Sequence, residues 1–419
     1  MRTYTPMKDA LSKLYGNVKV KVDIERVQIS DAFRRIAAET VISKFKTPPY
    51  NLSHVDGYAV IAEDTKSYKS LEIKGSIRLG DTNRRDLLHG EALEIPTGGY
   101  LPKGADAALP VEYSKVVANS LFFEKPLDKG QNVTQAGSDI SIGQTILRRG
   151  QEVRAQDLDL LAMVRAKDVG VYRKPIVSII STGSELTEDY TNPPAGKIPS
   201  SHNLLVSGMV EDSGGVPLNL GIAADETAIL KGKLQEGLRR SDIVVTIGGS
   251  SVGKADIVSK VINSLGKPGM VVEGIMLQPG RVSGFGVIDG KPIVLLPGFI
   301  LSTIISFALF VKPLFELVTN RTPIPFGPPV AAFLTRDAEF KSFPSFRKAV
   351  FVKLTRNEHS FLAEPLHGDS SMMSVLQECD GLIITEEKTS VIKAGAGVLV
   401  HILPGCSTLS TIGGSPDLL

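Results

Sequence analysis

The sequence contains few of the residues that suggest a disulfide scaffold or an aromatic binding platform. Its 419 residues include two cysteines, Cys379 and Cys406, and no tryptophan, and aromatic residues make up 6%. Two cysteines without a paired spacing favour free thiols in a reducing compartment over a disulfide or a metal knuckle. Scarce aromatic residues leave little surface on which nucleic-acid bases could stack. The composition therefore argues against disulfide stabilisation and against single-stranded nucleic-acid binding.

The sequence also lacks a strong charge excess and a membrane-length apolar segment. The formal net charge is +2, so no overall field attracts nucleic acid. The N-terminal stretch "MRTYTPMKDALSKLYG" has no hydrophobic signal core. The most apolar segment, residues 299–311, has 13 residues, whereas roughly 20 are needed to span a bilayer. We predict a cytoplasmic protein without nucleic-acid or membrane partners, in which this segment is a buried helix.

The pattern of apolar residues in the first 173 residues predicts helices around a β-rich module. Apolar positions in "ISDAFRRIAAETVIS" (residues 29–43) follow helical spacing, with Ser30 or Asp31 as the cap. Residues 46–140 contain short apolar or alternating runs separated by Gly, Pro, Asp and Asn, which is typical of strands and turns. A second helix is predicted over residues 154–166.

The remainder of the chain predicts an α/β domain followed by a smaller β domain. Between residues 174 and 320, buried strands such as "PIVSIIST" alternate with amphipathic helices, which indicates a mostly parallel sheet covered on both faces. After the Pro-rich linker "RTPIPFGPP", residues 328–419 return to short β runs. We expect a small barrel or sandwich there, with one short helix near residues 372–378. The fold class is therefore α/β and multidomain.

Three loops follow predicted parallel strands: "STGSEL" (181–186), "GGSSVGKAD" (248–256) and "LPGF" (296–299). Ligands of parallel α/β sheets bind at the carboxyl ends of the strands. Glycines let backbone amides approach an anion, and the start of the next helix favours negative charge. A glycine pair at a strand end is more often a tight turn than a binding site, but three such loops at one edge favour binding. Because neither the P-loop pattern nor the dinucleotide fingerprint is present, we predict an anion or phosphate held by amides and hydroxyls.

Three acidic residues, Glu185, Asp225 and Asp256, lie just after these strands. Carboxylates beside phosphate-binding amides would repel an anion unless a divalent cation lies between them. Mg²⁺ commonly binds a few carboxylates together with substrate phosphates, so Mg²⁺ is the predicted cofactor. The alternative is that Asp225 and Asp256 cap the helices that follow them.

In this order and spacing, "STGSEL", "TIGGSSVGKAD", "MLQPGR" and "LLPG" resemble the molybdopterin-binding domain of the molybdenum cofactor pathway. Upstream, "SHVDGYAV", "IPTGGYLPKGADAALPVEY" and "GSDI" resemble the other domains of molybdopterin molybdenumtransferases, which are related to the C-terminal domain of gephyrin. The resemblance covers essentially the whole chain and implies an elongated homodimer of four-domain chains. The domains would be residues 1–45 with 141–173, 46–140, 174–320, and 328–419, the last a β-barrel.

The resemblance also implies a reaction, the last step of molybdenum cofactor synthesis. Molybdate, or tungstate, would be inserted into adenylylated molybdopterin with release of AMP. A molybdopterin-adenylylating protein of the same pathway would be a partner.

The resemblance implies three sets of site residues. Asp56 and Thr97, from the partner subunit, and Asp225 and Asp256, which would also hold Mg²⁺, form the catalytic set. The cofactor-binding set is Asp139, Glu185, Gly248, Gly249, Ser250, Ser251, Gly253, Pro297 and Gly298. The oxyanion set is Arg281, Arg347 and Ser370. Several of these residues also have ordinary structural explanations: a turn for Asp56, a strand-end hydroxyl for Thr97, structural hydrogen bonding for Asp139 and Glu185, a solvated strand residue for Arg347, and a helix cap for Ser370.

The sequence departs from the family pattern at the expected anion pocket. Lys-Pro-Gly-Lys-Pro is replaced by residues 278–282, "QPGRV", and Leu-Pro-Gly-Asn-Pro by residues 296–300, "LPGFI". Asp-Ser-Asn becomes residues 200–202, "SSH", in which His202 is either a titratable site residue or a surface histidine. These changes support an alternative, a paralogue that binds molybdopterin or its cofactor without completing insertion. A scaffold role is disfavoured because no long linker or additional N-terminal domain is evident.

Overall fold

The structure, a computed structural model, describes residues 3–81, 85–249, 255–366 and 368–403, with the backbone alone for residues 255 and 256. The chain divides into two compact units. The first contains the chain up to Ile24 and from Tyr172 onward, and the second contains Glu25–Val171. The finer division into four domains stays a prediction.

Helix α1 (Met7–Asn17) opens the first unit, and sequence reasoning did not predict it. Pro6 precedes its first residue, and the Ala10 amide donates to the Pro6 carbonyl oxygen at 2.9 Å. Ala10 and Leu14, four residues apart, are buried on one face and join the large apolar core of the unit. The helix therefore depends on this packing.

The second unit is built mainly from strands, as predicted for residues 46–140. Its helices are α2 (Asp64–Ser67) and α3 (Ala155–Met163). Its strands are β1 (Ile24–Gln28), β2 (Val41–Ile42), β3 (Leu52–Ser53), β4 (Gly57–Val60), β5 (Ser70–Ser76), β6 (Glu91–Ile95), β7 (Ala107–Pro110), β8 (Ser114–Val117), β9 (Ser120–Phe123), β10 (Val133–Thr134), β11 (Thr145–Leu147) and β12 (Asp168–Tyr172).

One six-stranded sheet, in the order β7-β4-β6-β5-β9-β8, forms the centre of this unit. Its buried side chains include Val60, Leu71, Leu109 and Leu121. The pairs β1-β12, β2-β11 and β3-β10 form separate two-stranded sheets. The β-rich prediction for this segment is confirmed.

The helix predicted from the pattern of residues 29–43 is wrong. Only a 3₁₀ turn, Ile29–Asp31, forms there, and Arg34 has a left-handed φ of 58°. Ile36 and Ala37 pair as isolated bridges with distant residues of the same unit, and Phe33 is half exposed. Long-range backbone pairing overrides the local helical spacing. The helix predicted over 154–166 is confirmed as the shorter α3.

The remaining elements belong to the first unit. The helices are α4 (Ser201–Asp212), α5 (Thr227–Arg240), α6 (Ala255–Leu265), α7 (Ile300–Ser306), α8 (Lys312–Val318) and α9 (Val375–Glu378). The strands are β13 (Ile176–Thr182), β14 (Leu186–Thr187), β15 (Ile198–Pro199), β16 (Val216–Ala223), β17 (Ile243–Gly248), β18 (Pro268–Val272), β19 (Leu277–Gln278), β20 (Gly284–Ile288), β21 (Lys291–Leu296), β22 (Pro329–Leu334), β23 (Ala338–Glu339), β24 (Arg347–Arg356), β25 (Phe361–Pro365), β26 (Gly381–Ile384), β27 (Val391–Ile392) and β28 (Gly397–Ile402).

The α/β part of this unit is a six-stranded sheet in the order β16-β13-β17-β21-β20-β18. The first four strands are parallel, and β20 and β18 run antiparallel to their neighbours, which sequence reasoning did not predict. Along β13, Ile179 packs into one apolar core and Ile180 into another on the opposite face. The prediction of a mostly parallel sheet covered on both faces is confirmed.

The apolar segment after β21 is a core helix. Residues 300–318 are long and apolar enough to cross a membrane, but 78% of the window that meets this test is buried inside the protein. A π-helical stretch, Phe307–Val311, separates α7 from α8. The predicted buried helix is confirmed, with this local change in winding.

The C-terminal part of the first unit closes into a barrel. Strands β24, β25, β22, β28 and β26 are neighbours in this order, and β26 pairs back with β24. Between the predicted barrel and sandwich, the barrel is correct, and the short helix is α9. Cys379 is a buried thiol that donates to the Gly381 carbonyl oxygen. Cys406 lies outside the described residues.

Candidate active site

The four parallel strands end at one edge of the sheet. Thr182, the last residue of β13, pairs with Ala223 of β16 on one side and with Gly248 of β17 on the other. Ile247 pairs in turn with Leu296 of β21. The loops that follow these strands therefore leave from one edge, and the Cα of Gly248 lies 3.7 Å from the position of a Cβ on Gly298. Three of these loops are the predicted anion-binding loops.

Gly248 and Gly249 are required by the geometry of this edge. Their φ angles are 89° and 67°, which L-residues adopt at a cost. A Cβ on Gly248 would lie 2.8 Å from the Thr182 carbonyl oxygen, and one on Gly249 would lie 2.7 Å from Thr182 Oγ1. The end of β17 therefore approaches β13 as closely as the backbone allows.

The predicted phosphate-binding serines belong to the middle of the same loop. Ser250, Ser251 and Gly253 lie outside the described residues, and so does the side chain of Asp256. The backbone of Asp256 is the second residue of α6, so it follows the first residue of the helix and does not precede it.

Asp225 and Ser184 tie the ends of β16 and β13 together. The Ser184 amide donates to Asp225 Oδ2 at 3.4 Å, and the Asp225 amide donates to Ser184 Oγ at 3.2 Å. Helix α5 has Glu226 at its N-cap position and no capping hydrogen bond from a side chain. The alternative that Asp225 caps this helix is therefore wrong. The exposed Glu185 is next to Ser184, and its carboxylate folds back over Gly183.

The oxygen donors at this edge suit a hard divalent cation. The described residues contain no group of three or more His, Cys, Asp or Glu side chains able to hold a metal. Mg²⁺ usually retains several waters and takes one or two carboxylates together with substrate phosphates. The half-buried Asp225 beside a loop of backbone amides fits this pattern.

Pro297 and Gly298 form the turn into α7. Thr303 Oγ1 donates to the Pro297 carbonyl oxygen at 2.6 Å and fixes the turn against the first helical residues. Phe299, which follows, is 57% exposed. A large apolar side chain is therefore presented to solvent beside the strand edge.

Sequence reasoning singled out residues 200–202 but missed the buried polar cluster that they form with Ser181, Tyr190 and Asn203 at the start of α4. Ser200 Oγ donates to Ser181 Oγ at 2.8 Å, and the Tyr190 hydroxyl donates to Asn203 Oδ1 at 3.0 Å. Within the described part of the chain, Asn203 Nδ2 and His202 Nε2 are buried without hydrogen-bond partners. Burial lowers the pKa of His202, so this half-buried side chain is not a surface histidine. The signal was the polar run 200–203 directly after a short strand.

Strand pairing connects the segment before Arg281 with the strand that carries Arg347. β19 pairs in parallel with β24 of the barrel, with Leu277 opposite Arg347 and Gln278 opposite Lys348. Arg281 follows β19 within three residues. The segment before Arg281 therefore runs beside the strand that carries Arg347.

Ser370 lies at the start of α7. Its carbonyl oxygen accepts from the Leu301 amide at 3.1 Å, and its hydroxyl donates to Asp369 Oδ1 at 3.3 Å. The alternative that Ser370 caps the short helix α9 is wrong, because Ser374 occupies that N-cap position.

The two arginines, Arg347 and Arg281, differ in whether a carboxylate neutralises their guanidinium. Arg347 donates to Glu386 at 2.7 Å and lies 4.0 Å from Glu387, so carboxylates already neutralise its guanidinium. Arg281 instead stacks on the Phe343 ring, with its guanidinium carbon 4.6 Å from the centroid. No carboxylate among the described residues forms an ion pair with Arg281. Of these two arginines, Arg281 is therefore the one whose guanidinium is not neutralised by a carboxylate of the described residues.

The predicted catalytic residues of the second unit are close to each other. The Thr97 amide donates to Asp56 Oδ1 at 2.7 Å, and both residues are exposed. Asp139 is also exposed, and its amide donates to the Thr47 carbonyl oxygen.

Comparisons with known proteins agree with this architecture. Three family models match: "MoeA N-terminal region (domain I and II)" over residues 5–164, "Probable molybdopterin binding domain" over 178–316, and "MoeA C-terminal region (domain IV)" over 335–403. Molybdopterin molybdenumtransferase 2 of Mycobacterium tuberculosis is 30% identical over 318 residues, covering 74% of this chain and 78% of that protein. The molybdopterin molybdenumtransferase of Bacillus subtilis is 28% identical over 413 residues, covering 96% and 95%.

A solved structure of a molybdopterin biosynthesis MoeA protein from Pyrococcus horikoshii superposes with a TM-score of 0.84 at 31% identity, covering 96% of this chain and 99% of that one. The chain belongs to the molybdopterin molybdenumtransferase family. Its role is in molybdenum cofactor biosynthesis, as a transferase.

For a molybdopterin molybdenumtransferase, the departures in the sequence lie around the junction between the parallel sheet and the barrel. Gln278 Oε1 accepts from Ser342 Oγ at 3.5 Å, and Val282 follows Arg281. Phe299 and Ile300 begin α7, where Leu301 contacts Ser370. Two of the changed residues, Gln278 and Val282, therefore lie close to Arg281 in sequence, and two others, Phe299 and Ile300, precede the residue that contacts Ser370.

Proposed function

We propose that the chain inserts molybdate, or tungstate, into adenylylated molybdopterin and releases AMP. The observation that carries this proposal is the alignment of the parallel strand ends, which gathers the glycine loop after β17, the Asp225 carboxylate and the turn 297–298 at one edge. Such an edge is where parallel α/β sheets bind phosphorylated ligands.

The residues of this edge have complementary proposed roles. Backbone amides at Gly248, Gly249 and Gly253, with the hydroxyls of Ser250 and Ser251, would hold the phosphate. Asp225 and Asp256 would hold Mg²⁺, which supplies positive charge to the phosphoanhydride oxygens. Glu185, Pro297 and Gly298 would complete the binding surface at this edge. Asp139, which belongs to the second unit, is also a proposed cofactor-binding residue.

In the proposed reaction, water adds across the phosphoanhydride of the substrate. The oxygen of water joins one phosphorus as the bridging P–O bond breaks, and AMP leaves. The two dithiolene sulfurs of molybdopterin then bond to molybdenum, and one molybdate oxygen leaves as water with the two thiol protons. Arg281 would bind the tetrahedral oxyanion, because a planar guanidinium donates two parallel hydrogen bonds to such an anion. Asp56, held by the Thr97 amide, would act from the partner subunit of a homodimer.

The test is AMP release from adenylylated molybdopterin by the purified full chain, with Mg²⁺ and either molybdate or tungstate. Asp225→Asn should reduce oxyanion-dependent release by roughly a hundredfold or more, as expected when a transition-state charge partner is removed. Asp212→Asn is the matched control, since Asp212 ends α4 at the opposite end of the sheet. Equal rates for the two variants would contradict the role of Asp225.

A second function is favoured by the charges near the barrel. Arg347 is neutralised by Glu386, and Gln278 is uncharged where the family pattern has lysine. With so few cationic side chains free to bind an oxyanion, the chain would bind molybdopterin or its cofactor without completing insertion. Tight binding of the adenylylated substrate, with no AMP release under either oxyanion, would favour this second function.

The assembly and location are further parts of the proposal. We expect a homodimer, a transient complex with the molybdopterin-adenylylating protein, and a cytoplasmic location. Sedimentation equilibrium of the purified chain tests the dimer, and a monomer at all concentrations would remove Asp56 and Thr97 of a partner subunit from the proposed site.

A further inference from the structure

Lys348 is a buried cation that neither the family resemblance nor the proposed function uses. Its side chain is on β24, it is 4% exposed, and its Cα is opposite that of Gln278. No carboxylate of the described residues forms an ion pair with it. Burial lowers the pKa of Lys348, as desolvation of an ammonium requires. A buried lysine of this kind needs hydrogen-bond acceptors to remain charged.

The acceptors of Lys348 are two successive backbone carbonyls. Nζ donates to the carbonyl oxygens of Ser342 and Phe343, the latter at 2.8 Å. The Phe343 carbonyl oxygen also accepts from the Phe346 amide at 2.9 Å, which closes the turn. Phe343 has a φ of 51°, a left-handed conformation that persists only where the surroundings enforce it. Lys348 therefore holds a strained turn in place.

The side chain of this turn is the support for Arg281. The Phe343 ring lies 4.6 Å from the Arg281 guanidinium carbon, and it packs against Phe346 at 5.1 Å between centroids. Phe346 in turn meets the Tyr4 ring, edge to face, at 5.1 Å. The Ser342 hydroxyl of the same turn bonds to Gln278. The position of the Arg281 guanidinium thus depends on the position of the turn.

We propose that Lys348 is a positioning residue that, through the turn 342–346 and the Phe343 ring, orients Arg281 and sets the affinity for the tetrahedral oxyanion. This inference rests on the proposed oxyanion role of Arg281. The proposed role of Lys348 is indirect, because its Nζ donates to two carbonyl oxygens of the turn.

The test compares Lys348→Met with Lys291→Met in the full-length protein. Methionine keeps the volume and loses the ammonium. Lys291 is a matched control, because its Nζ also donates to two backbone carbonyls, those of Leu238 and Ser241. It is the first residue of β21, so it lies at the end of the α/β sheet opposite the strand ends of the candidate site. The readouts are melting temperature, the Kd of molybdate by titration calorimetry, and the KM for molybdate and kcat in AMP release.

Both variants should lose some thermal stability, but Lys348→Met alone should raise the Kd and KM for molybdate by about tenfold, with the Kd of the adenylylated substrate unchanged. Phe343→Leu, which keeps the turn apolar but removes the ring, should weaken molybdate binding by about three- to tenfold. It serves as the test if Lys348→Met does not fold.

Two failures are distinguishable. Wild-type protein that binds no oxyanion would overturn the proposed function. Wild-type protein that binds molybdate, with both Lys348→Met and Phe343→Leu binding it equally well, would overturn the positioning role and leave the function standing.

Discussion

The Thr97 amide donates a 2.7 Å hydrogen bond to the carboxylate of Asp56. The two residues are 41 positions apart, and the bond joins the turn before β4 to the end of β6. Asp56 therefore has a structural role whether or not it has a chemical one. Its substitutions separate the two roles, because asparagine retains an acceptor oxygen and loses only the charge.

We expect Asp56→Asn to keep wild-type stability and Asp56→Ala to lose about 1 kcal/mol, since only alanine removes the acceptor. Both should lose AMP release if the charge takes part in the reaction. Asp106→Ala is the control, because Asp106 Oδ1 accepts from the Ala62 amide at the same 2.7 Å. It should lose stability and keep activity. Full activity of Asp56→Asn would assign the residue to structure alone.

Gly249→Ala should be more destabilising than a left-handed backbone alone explains. The added Cβ would lie 2.7 Å from Thr182 Oγ1 and 3.1 Å from Val258 Cγ2. We expect a loss of about 2–3 kcal/mol by chemical denaturation, and weaker binding of the adenylylated substrate. Gly196→Ala, at a φ of 77° with open space around it, should lose only about 1 kcal/mol. Equal losses would show that the contact with β13 relaxes freely.

Glu386→Gln should improve oxyanion binding. Glu386 is 81% exposed on its side chain, so its ion pair with Arg347 contributes little to stability, about 0.5 kcal/mol. Its removal leaves the Arg347 guanidinium with only the 4.0 Å contact to Glu387, and we expect the Kd of molybdate to fall by about two- to fivefold. Glu378→Gln breaks a comparable exposed pair with Lys353 in the same barrel and serves as the control. An unchanged Kd would show that Arg347 does not face the oxyanion.

Glu316 provides a pH-dependent prediction. Burial raises the pKa of Glu316, and Glu316 Oε2 and the Tyr15 hydroxyl are buried without partners among the described residues. Burial, followed by the charge of Glu316, raises the pKa of Tyr15 to about 12. A carboxyl whose folded pKa exceeds its unfolded pKa destabilises the fold as pH rises above the unfolded value.

Glu316→Gln should therefore match the wild type near pH 4 and become progressively more stable than the wild type toward pH 8. Melting temperatures across this range measure the difference. Glu211→Gln, an exposed change in α4, should follow the wild type at every pH. A constant offset between Glu316→Gln and the wild type would mean that the carboxyl does not titrate in this environment.

The parts of the fold that could be predicted from sequence are those specified locally. Continuous apolar runs such as residues 243–247 indicate buried parallel strands, and the glycine pairs after them indicate where the sheet edge carries its loops. Residues 29–43 have an equally good helical pattern, but Ala37 pairs with Val171, 134 positions away. No local pattern encodes that pairing.

The residues of the candidate site also divide into those that local sequence indicates and those that depend on long-range pairing. Asp225 and the glycines were found because each follows a strand in sequence. Lys348 and Phe343 were not, because their role depends on the pairing of β19 with β24 and on a left-handed residue in a turn without glycine. The acidic partner of Arg347 was missed for the same reason, since Glu386 is 39 residues away on another strand connection.

The pairing of β19 with β24 also constrains how the protein is made. Leu277 leaves the ribosome 70 residues before Arg347, its partner on β24. At the usual rate of translation this interval lasts on the order of ten seconds, during which β19 is an exposed edge without its neighbour. The nascent chain must therefore protect this edge until the barrel sequence has emerged, and premature termination within the barrel would yield a product prone to aggregation.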